Sequence, residues 1–158
     1  MVGHAFEARI YAENPRNKFL PDSGALLYLS IPTPTHTFAP KYPPSTISTA
    51  HGPDLMPPES SDAVFQVTPS LRIEEGFTHG ASIGVFYDPM IAKVVVHGRD
   101  RTEALRMLRK ALDEYHVVGV STNVEFLRSL AGNQSFIDGE VETGFISVRL
   151  FPHGRFRF

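Results

Sequence analysis

Arg9 is the residue whose setting most asks for a chemical explanation. In GHAFEARIYAENP (residues 3–15) it lies two positions after Glu7 and two before Tyr11. Alternation over residues 4–12 predicts a β-strand. His4, Phe6, Ala8, Ile10 and Ala12 then share one face, and Ala5, Glu7, Arg9 and Tyr11 the other. Side chains at i and i+2 on a strand lie roughly 6.5–7 Å apart. A carboxylate at that spacing can steady a guanidinium while the cation still projects outward. A steadied arginine is a rigid fork of donors suited to a carboxylate, a phosphate or a developing oxyanion. The same spacing also describes an exposed ion pair of little energetic worth. A second candidate is FYDPMIAK (residues 86–93). There Asp88 precedes a proline that cannot donate to a ladder, and Lys93 follows on the next strand. A turn followed by a solvated lysine would have the same sequence.

Other catalytic signatures do not occur. The 158 residues contain no G-x-G-x-x-G or G-x-x-x-x-G-K phosphate loop, no G-x-S-x-G elbow and no H-E-x-x-H pair. The absence of cysteine removes disulfides, thiolate nucleophiles and thiol metal sites, and fits a reducing compartment. The seven histidines show no metal-ligand spacing, so no metal site is expected. A formal net charge of −2 gives no electrostatic reason to expect a nucleic acid or a membrane surface as partner. No apolar run approaches the roughly 18 residues of a membrane span, and none has the pattern of a signal or transit peptide.

A fold must hold these side chains, and the rest of the chain outlines one. After the first strand, NPRNKFLPDSG predicts turns, and residues 25–32 predict a second strand. Nine of the chain's 13 prolines then fall between Pro32 and Pro69. This stretch cannot hold a helix and offers few ladder donors, so residues 33–69 form a surface insertion. Strands are expected at 71–77, 82–88 and 90–98, the last strongly β-branched. Asp100 and Glu103 make a capping-box pattern ahead of a stripe of Leu105, Leu108, Leu112 and Tyr115. A second helix is expected from Thr122, capped with Glu125, to a stop at Gly132. The order defines an α+β class: a mainly antiparallel sheet with two helices packed on it. Residues 1–147 make one domain, and 148–158 a tail of undefined structure.

Three motifs, in order, carry a family resemblance: GHAFEARIYAENP…FLPDSG, VFYDPMIAKVVVHGRDRTEALRMLRKAL and VVGVSTNVEFLRSL…GEVETGFI. Together they resemble the C-terminal domain of biotin carboxylase, the ATP-grasp part of biotin-dependent carboxylases. The resemblance runs from Gly3 to about Ile146, the proline-rich stretch excepted. GHAFEARIYAE is most similar to the alpha subunits of 3-methylcrotonyl-CoA carboxylases. Propionyl-CoA and acetyl-CoA carboxylases tend to carry Cys where Ala8 stands.

The resemblance implies an ATP-dependent ligase with biotin, ATP and Mg2+ as cofactors. ATP activates bicarbonate as carboxyphosphate, N1 of biotin is carboxylated, and a carboxyltransferase beta subunit passes the carboxyl group to an acyl-CoA. It implies that Arg9 is the catalytic residue contacting the ureido oxygen of biotin. Glu7 and Asp88 would support it, and Thr143 would lie near the adenine, although its identity differs from that of relatives. Arg72 aligns with a dimer-interface position of bacterial relatives, but Pro69 stands where they carry an aromatic residue. In the family the ATP-grasp domain lies upstream and the biotinyl domain downstream. Neither is among these residues, so the chain is expected to be an excised domain or a truncated product, inactive alone. The resemblance further implies the mitochondrial matrix and leucine breakdown. The alternatives are the same domain of a propionyl-CoA, acetyl-CoA or pyruvate carboxylase, and a non-catalytic interaction module using its proline-rich segment.

Overall fold

The structure, a computed structural model, describes residues 2–35, 68–84 and 86–146. Before the proline-rich stretch come β1 (His4–Tyr11), β2 (Glu13–Asn14), a 3-10 turn at Pro15–Asn17, β3 (Leu20–Pro21), β4 (Gly24–Ala25) and β5 (Tyr28–Ser30). After it come β6 (Ser70–Glu75), β7 (Ser82–Ile83), β8 (Met90–Gly98), α1 (Arg101–Glu114), β9 (His116–Val118), α2 (Val124–Gly132) and α3 (Gln134–Asp138). The order β1-β8-β6 makes a three-stranded antiparallel sheet. Two-stranded antiparallel ribbons, β2-β3, β4-β7 and β5-β9, surround it.

The β-branched run MIAKVVVHG takes the centre of the sheet, as β8. Its inward residues Ala92, Val94 and Val96 are buried, and they form one core with Ala8 and Ile10 of β1 and Leu105, Leu108 and Leu112 of α1. Burying each such aliphatic side chain contributes about 1.5–3 kcal/mol before entropy is charged against it. The handover from β8 to α1 is tight. A Cβ on Gly98 would lie 2.6 Å from the backbone nitrogen of Ala104. Asp100 caps α1 by accepting from the Glu103 N–H at 2.8 Å. The Glu103 carboxylate reaches back one residue further than in the usual capping box, to the Arg99 N–H (2.8 Å) and Nε (3.0 Å). At the other end of α1, Arg128 of α2 donates to the carbonyls of Leu112 (2.9 Å), Asp113 (3.2 Å) and Tyr115 (3.2 Å). These carbonyls lie where the helix end leaves acceptors without partners, so one arginine docks α2 on α1.

The α+β class holds, with differences in detail. The single strand expected at 25–32 is two short ones, because the chain changes partners. The Leu26 N–H donates to the Ala81 carbonyl, whereas the Leu27 N–H donates to that of Val118. The strand expected at 82–88 stops at Ile83, and Phe86 and Tyr87 stand 90% and 86% exposed in the turn beyond it. HVVGVS supplies an unpredicted strand, β9. The second helix is capped at Asn123 rather than Thr122, and the Asn123 side chain does not bond to its own helix. A third helix, α3, follows Gly132. Asn133 caps it, and Gly139 ends it in the left-handed region (φ 80°). The tail and most of the proline-rich stretch lie outside the described residues. The two described ends of that stretch meet: the Thr35 N–H donates to the Leu71 carbonyl at 2.9 Å, and the Leu71 N–H to Thr35 Oγ1 at 2.6 Å.

Candidate functional site

β1 is an edge strand of the sheet, and its register decides what surrounds Arg9. Arg9 lies directly across from Lys93, and Lys93 across from Glu74 of β6. In the neighbouring row Glu7 and Arg72 flank Val95. Two cations opposite one another on a sheet repel, and here acids are interleaved with them. Arg9 Nε donates to Glu7 Oε1 at 2.9 Å, Arg72 pairs with Glu74 at 3.1 Å, and Lys93 pairs with Glu74 at 3.6 Å. The Arg9 side chain remains 57% exposed. Its hydrogen bond holds the Glu7 carboxyl below the usual carboxylate range. Glu7 first, and Tyr11 second, raise the guanidinium further above its ordinary value. The arginine is thus charged, steadied from one side and open to solvent.

The three sequence motifs converge around this strand. The Ala12 N–H donates to the Pro89 carbonyl at 2.9 Å, which brings the Asp88-Pro89 turn to the end of β1. Asp22, in FLPDSG, accepts from the Ser121 N–H at 2.7 Å, and this bond is the foremost cause of its lowered pKa. Asn123 meets β1 itself. Its Oδ1 accepts from the Tyr11 N–H at 2.9 Å, and its Nδ2 donates to the Arg9 carbonyl at 3.0 Å. Beside the open edge of β1 lies a cleft of about 340 Å³. Glu7, Arg9, Tyr11, Glu13 and Asn123 form its polar margin, and side chains such as Leu112, Phe126, Leu130 and Phe136 its apolar wall. Partial burial raises the pKa of Glu13, and the Asn123 side chain opposes that shift.

The sequence candidates do not all gather here. Glu7, Arg9 and Tyr11 border the cleft, together with Phe6 and Ala8 from the other face of β1. Asp88 sits at the end of β1 outside the lining, and Thr143 is exposed in the turn after α3, also outside it. Lys93 faces Arg9 across the ladder, and Arg72 lies two strands away. Sequence reasoning passed over Asn123 because an Asn ahead of an apolar helix has the pattern of an ordinary cap. No local signal reveals that its amide faces a strand 112 residues earlier.

The fold defines a class, the biotin carboxylase fold. The biotin carboxylase domain of Hydrogenobacter thermophilus 2-oxoglutarate carboxylase, solved with MgADP, ADP and bicarbonate, superposes with a TM-score of 0.70 at 24% identity, over 98% of this chain and 26% of that one. Residues 60–148 match the family described as biotin carboxylase C-terminal domain, and the chain belongs to that family. The mitochondrial methylcrotonoyl-CoA carboxylase subunit alpha of Dictyostelium discoideum is 46% identical over 146 residues, 92% of this chain and 16% of that protein. The mitochondrial propionyl-CoA carboxylase alpha chain of Homo sapiens is 33% identical over 153 residues, 96% of this chain and 16% of that protein. The chain therefore spans about a sixth of the length of these curated relatives.

Proposed function

We propose that this chain is the C-terminal wall of the biotin carboxylase site of a methylcrotonoyl-CoA carboxylase alpha subunit, acting in mitochondrial leucine breakdown. The observation that carries the site is Arg9: a charged, half-exposed guanidinium held at Nε by Glu7. The finer assignment is supported by 46% identity to the Dictyostelium alpha subunit against 33% to the human propionyl-CoA carboxylase chain. When bound, biotin supplies the ureido nitrogen that takes up the carboxyl group. Arg9 would present a preorganised cation to the ureido oxygen of bound biotin. Its fixed fork does this with less reorganisation than a flexible ammonium would need. Glu7 orients the fork, and Lys93 adds positive potential from the adjacent strand. In this reading Asp88 is a supporting residue near the site, and Thr143 lies near the adenine once further domains are in place. Among the described residues no three acids or histidines gather to hold a metal ion. In this reading magnesium, nucleotide and the biotin-bearing domain belong to other parts of the alpha subunit, and the acyl-CoA chemistry to a carboxyltransferase beta subunit.

The test is made in the full-length alpha subunit carrying this domain. Arg9→Ala should lower kcat for biotin carboxylation roughly 10²- to 10³-fold, the scale of removing one oxyanion donor. Arg9→Lys, which keeps the charge and loses the fork, should recover only part of it. Wild-type turnover in Arg9→Ala would remove Arg9 from the chemistry.

A further inference from the structure

An edge strand has one row of backbone groups without a ladder partner, and such a row frays or twists unless something else holds it. On β1 this matters most at Arg9 and Tyr11. The β1–β8 ladder shifts register between Ile10 and Tyr11, so the sheet's own hold on β1 is interrupted just past the arginine. On the opposite edge Asn123 takes over. Its side-chain amide receives the Tyr11 N–H and donates to the Arg9 carbonyl, while its backbone N–H donates to the Tyr11 carbonyl at 3.3 Å. One residue thus reproduces a short length of a missing strand, with both its donor and its acceptor engaged.

The amide is diverted to do this. Asparagine at an N-cap ordinarily bonds to the first turn of its own helix. Asn123 occupies the N-cap of α2 and makes no such bond. It is also 5% exposed, so its amide would be costly to bury without these partners. The guanidinium it supports is held on its side-chain end by Glu7, leaving the backbone end to Asn123.

We propose that Asn123 is a positioning residue for Arg9: its buried amide fixes the edge of β1 from which the guanidinium is presented to the reacting oxygen. The inference rests on the reading of Arg9 given above, and a double-mutant cycle in the full-length alpha subunit separates the two. Asn123→Ser should lower kcat for biotin carboxylation roughly ten- to a hundredfold, as expected when a catalytic group is displaced by about an ångström. KM for ATP should stay unchanged, and the melting curve and folded fraction should match the parent's, so that the fall in kcat cannot be put down to loss of folded protein. In an Arg9→Ala background the same substitution should cost nothing further. Losses that multiply in the double variant would overturn the positioning role and leave Arg9 standing. Full activity in Arg9→Ala alone would overturn both. If Asn123→Ser does not fold, Asn123→Asp goes through the same cycle. It keeps the acceptor for the Tyr11 N–H and deletes the donor to the Arg9 carbonyl, so it should show the same non-additivity.

Discussion

Glu7 and Arg9 are each too exposed, at 41% and 57% of their side chains, for their ion pair to contribute much to stability. What the pair supplies is direction: a guanidinium tied at Nε has fewer orientations to sample than a free one. Glu7→Gln should therefore separate stability from chemistry. The amide oxygen can still accept from Arg9 Nε, but the charge that favours that geometry is gone. The melting temperature should stay within experimental scatter, while biotin carboxylation by the full-length subunit should slow by less than in Arg9→Ala. A large fall in melting temperature with no change in rate would mean that the pair is structural. This much of the site could be read in the sequence, because residues at i and i+2 on a strand meet by geometry alone. Asn123 could not, since its partners lie across the fold. Nor could the separation of Asp88 and Thr143 from the cleft margin, which depends on where two turns come to rest.

The elements divide in the same way. β8 and α1 were legible because a β-branched run and an amphipathic stripe each state their periodicity over many residues. The ribbons β4-β7 and β5-β9 were legible only in part: the strands expected at 25–32 and 82–88 shrink to short pieces, and β9 was not expected. They are two or three residues long, and each exists only because a distant segment arrives to pair with it. The N-terminus of α1 was legible as a capping pattern, and its wiring gives a pH prediction. Pairing with Arg99, through the side chain first and the backbone N–H second, holds the Glu103 carboxyl at about 2. An unpaired glutamate titrates near 4.3. A carboxyl whose pKa is lower when folded stabilises the fold fully above the unfolded value and loses that contribution as pH falls through the folded one. The melting temperature should therefore drop between about pH 5 and pH 2. Glu103→Gln should melt lower than the parent at neutral pH, show a flatter profile over that window, and converge with it near pH 2. Parallel profiles would show that the Arg99–Glu103 contact does not couple to folding.

At the scale of the whole molecule, the two faces of the sheet differ. One is closed by α1 over a core that includes Ile10, Val94, Val96, Leu105 and Leu112. The other carries the interleaved row of Glu7, Arg9, Lys93, Arg72 and Glu74, with the cleft opening beside β1. A closed core is what cooperative folding requires. A catalytic site requires more: groups placed on several sides of the reacting atoms, so that binding is converted into alignment. In the reading proposed above, Arg9 stands on one side of such a site. The chain spans about a sixth of its carboxylase relatives. The purified chain should therefore unfold in a single transition, yet neither hydrolyse ATP nor carboxylate free biotin when given Mg2+ and bicarbonate. Supplying the remainder of the alpha subunit in trans should restore biotin carboxylation, and the Arg9→Ala chain should fail to restore it in the same mixture. ATP turnover or biotin carboxylation by the chain alone would overturn the division of the site between this domain and the rest. Equal rescue by the Arg9→Ala chain would show that the domain acts only as a scaffold.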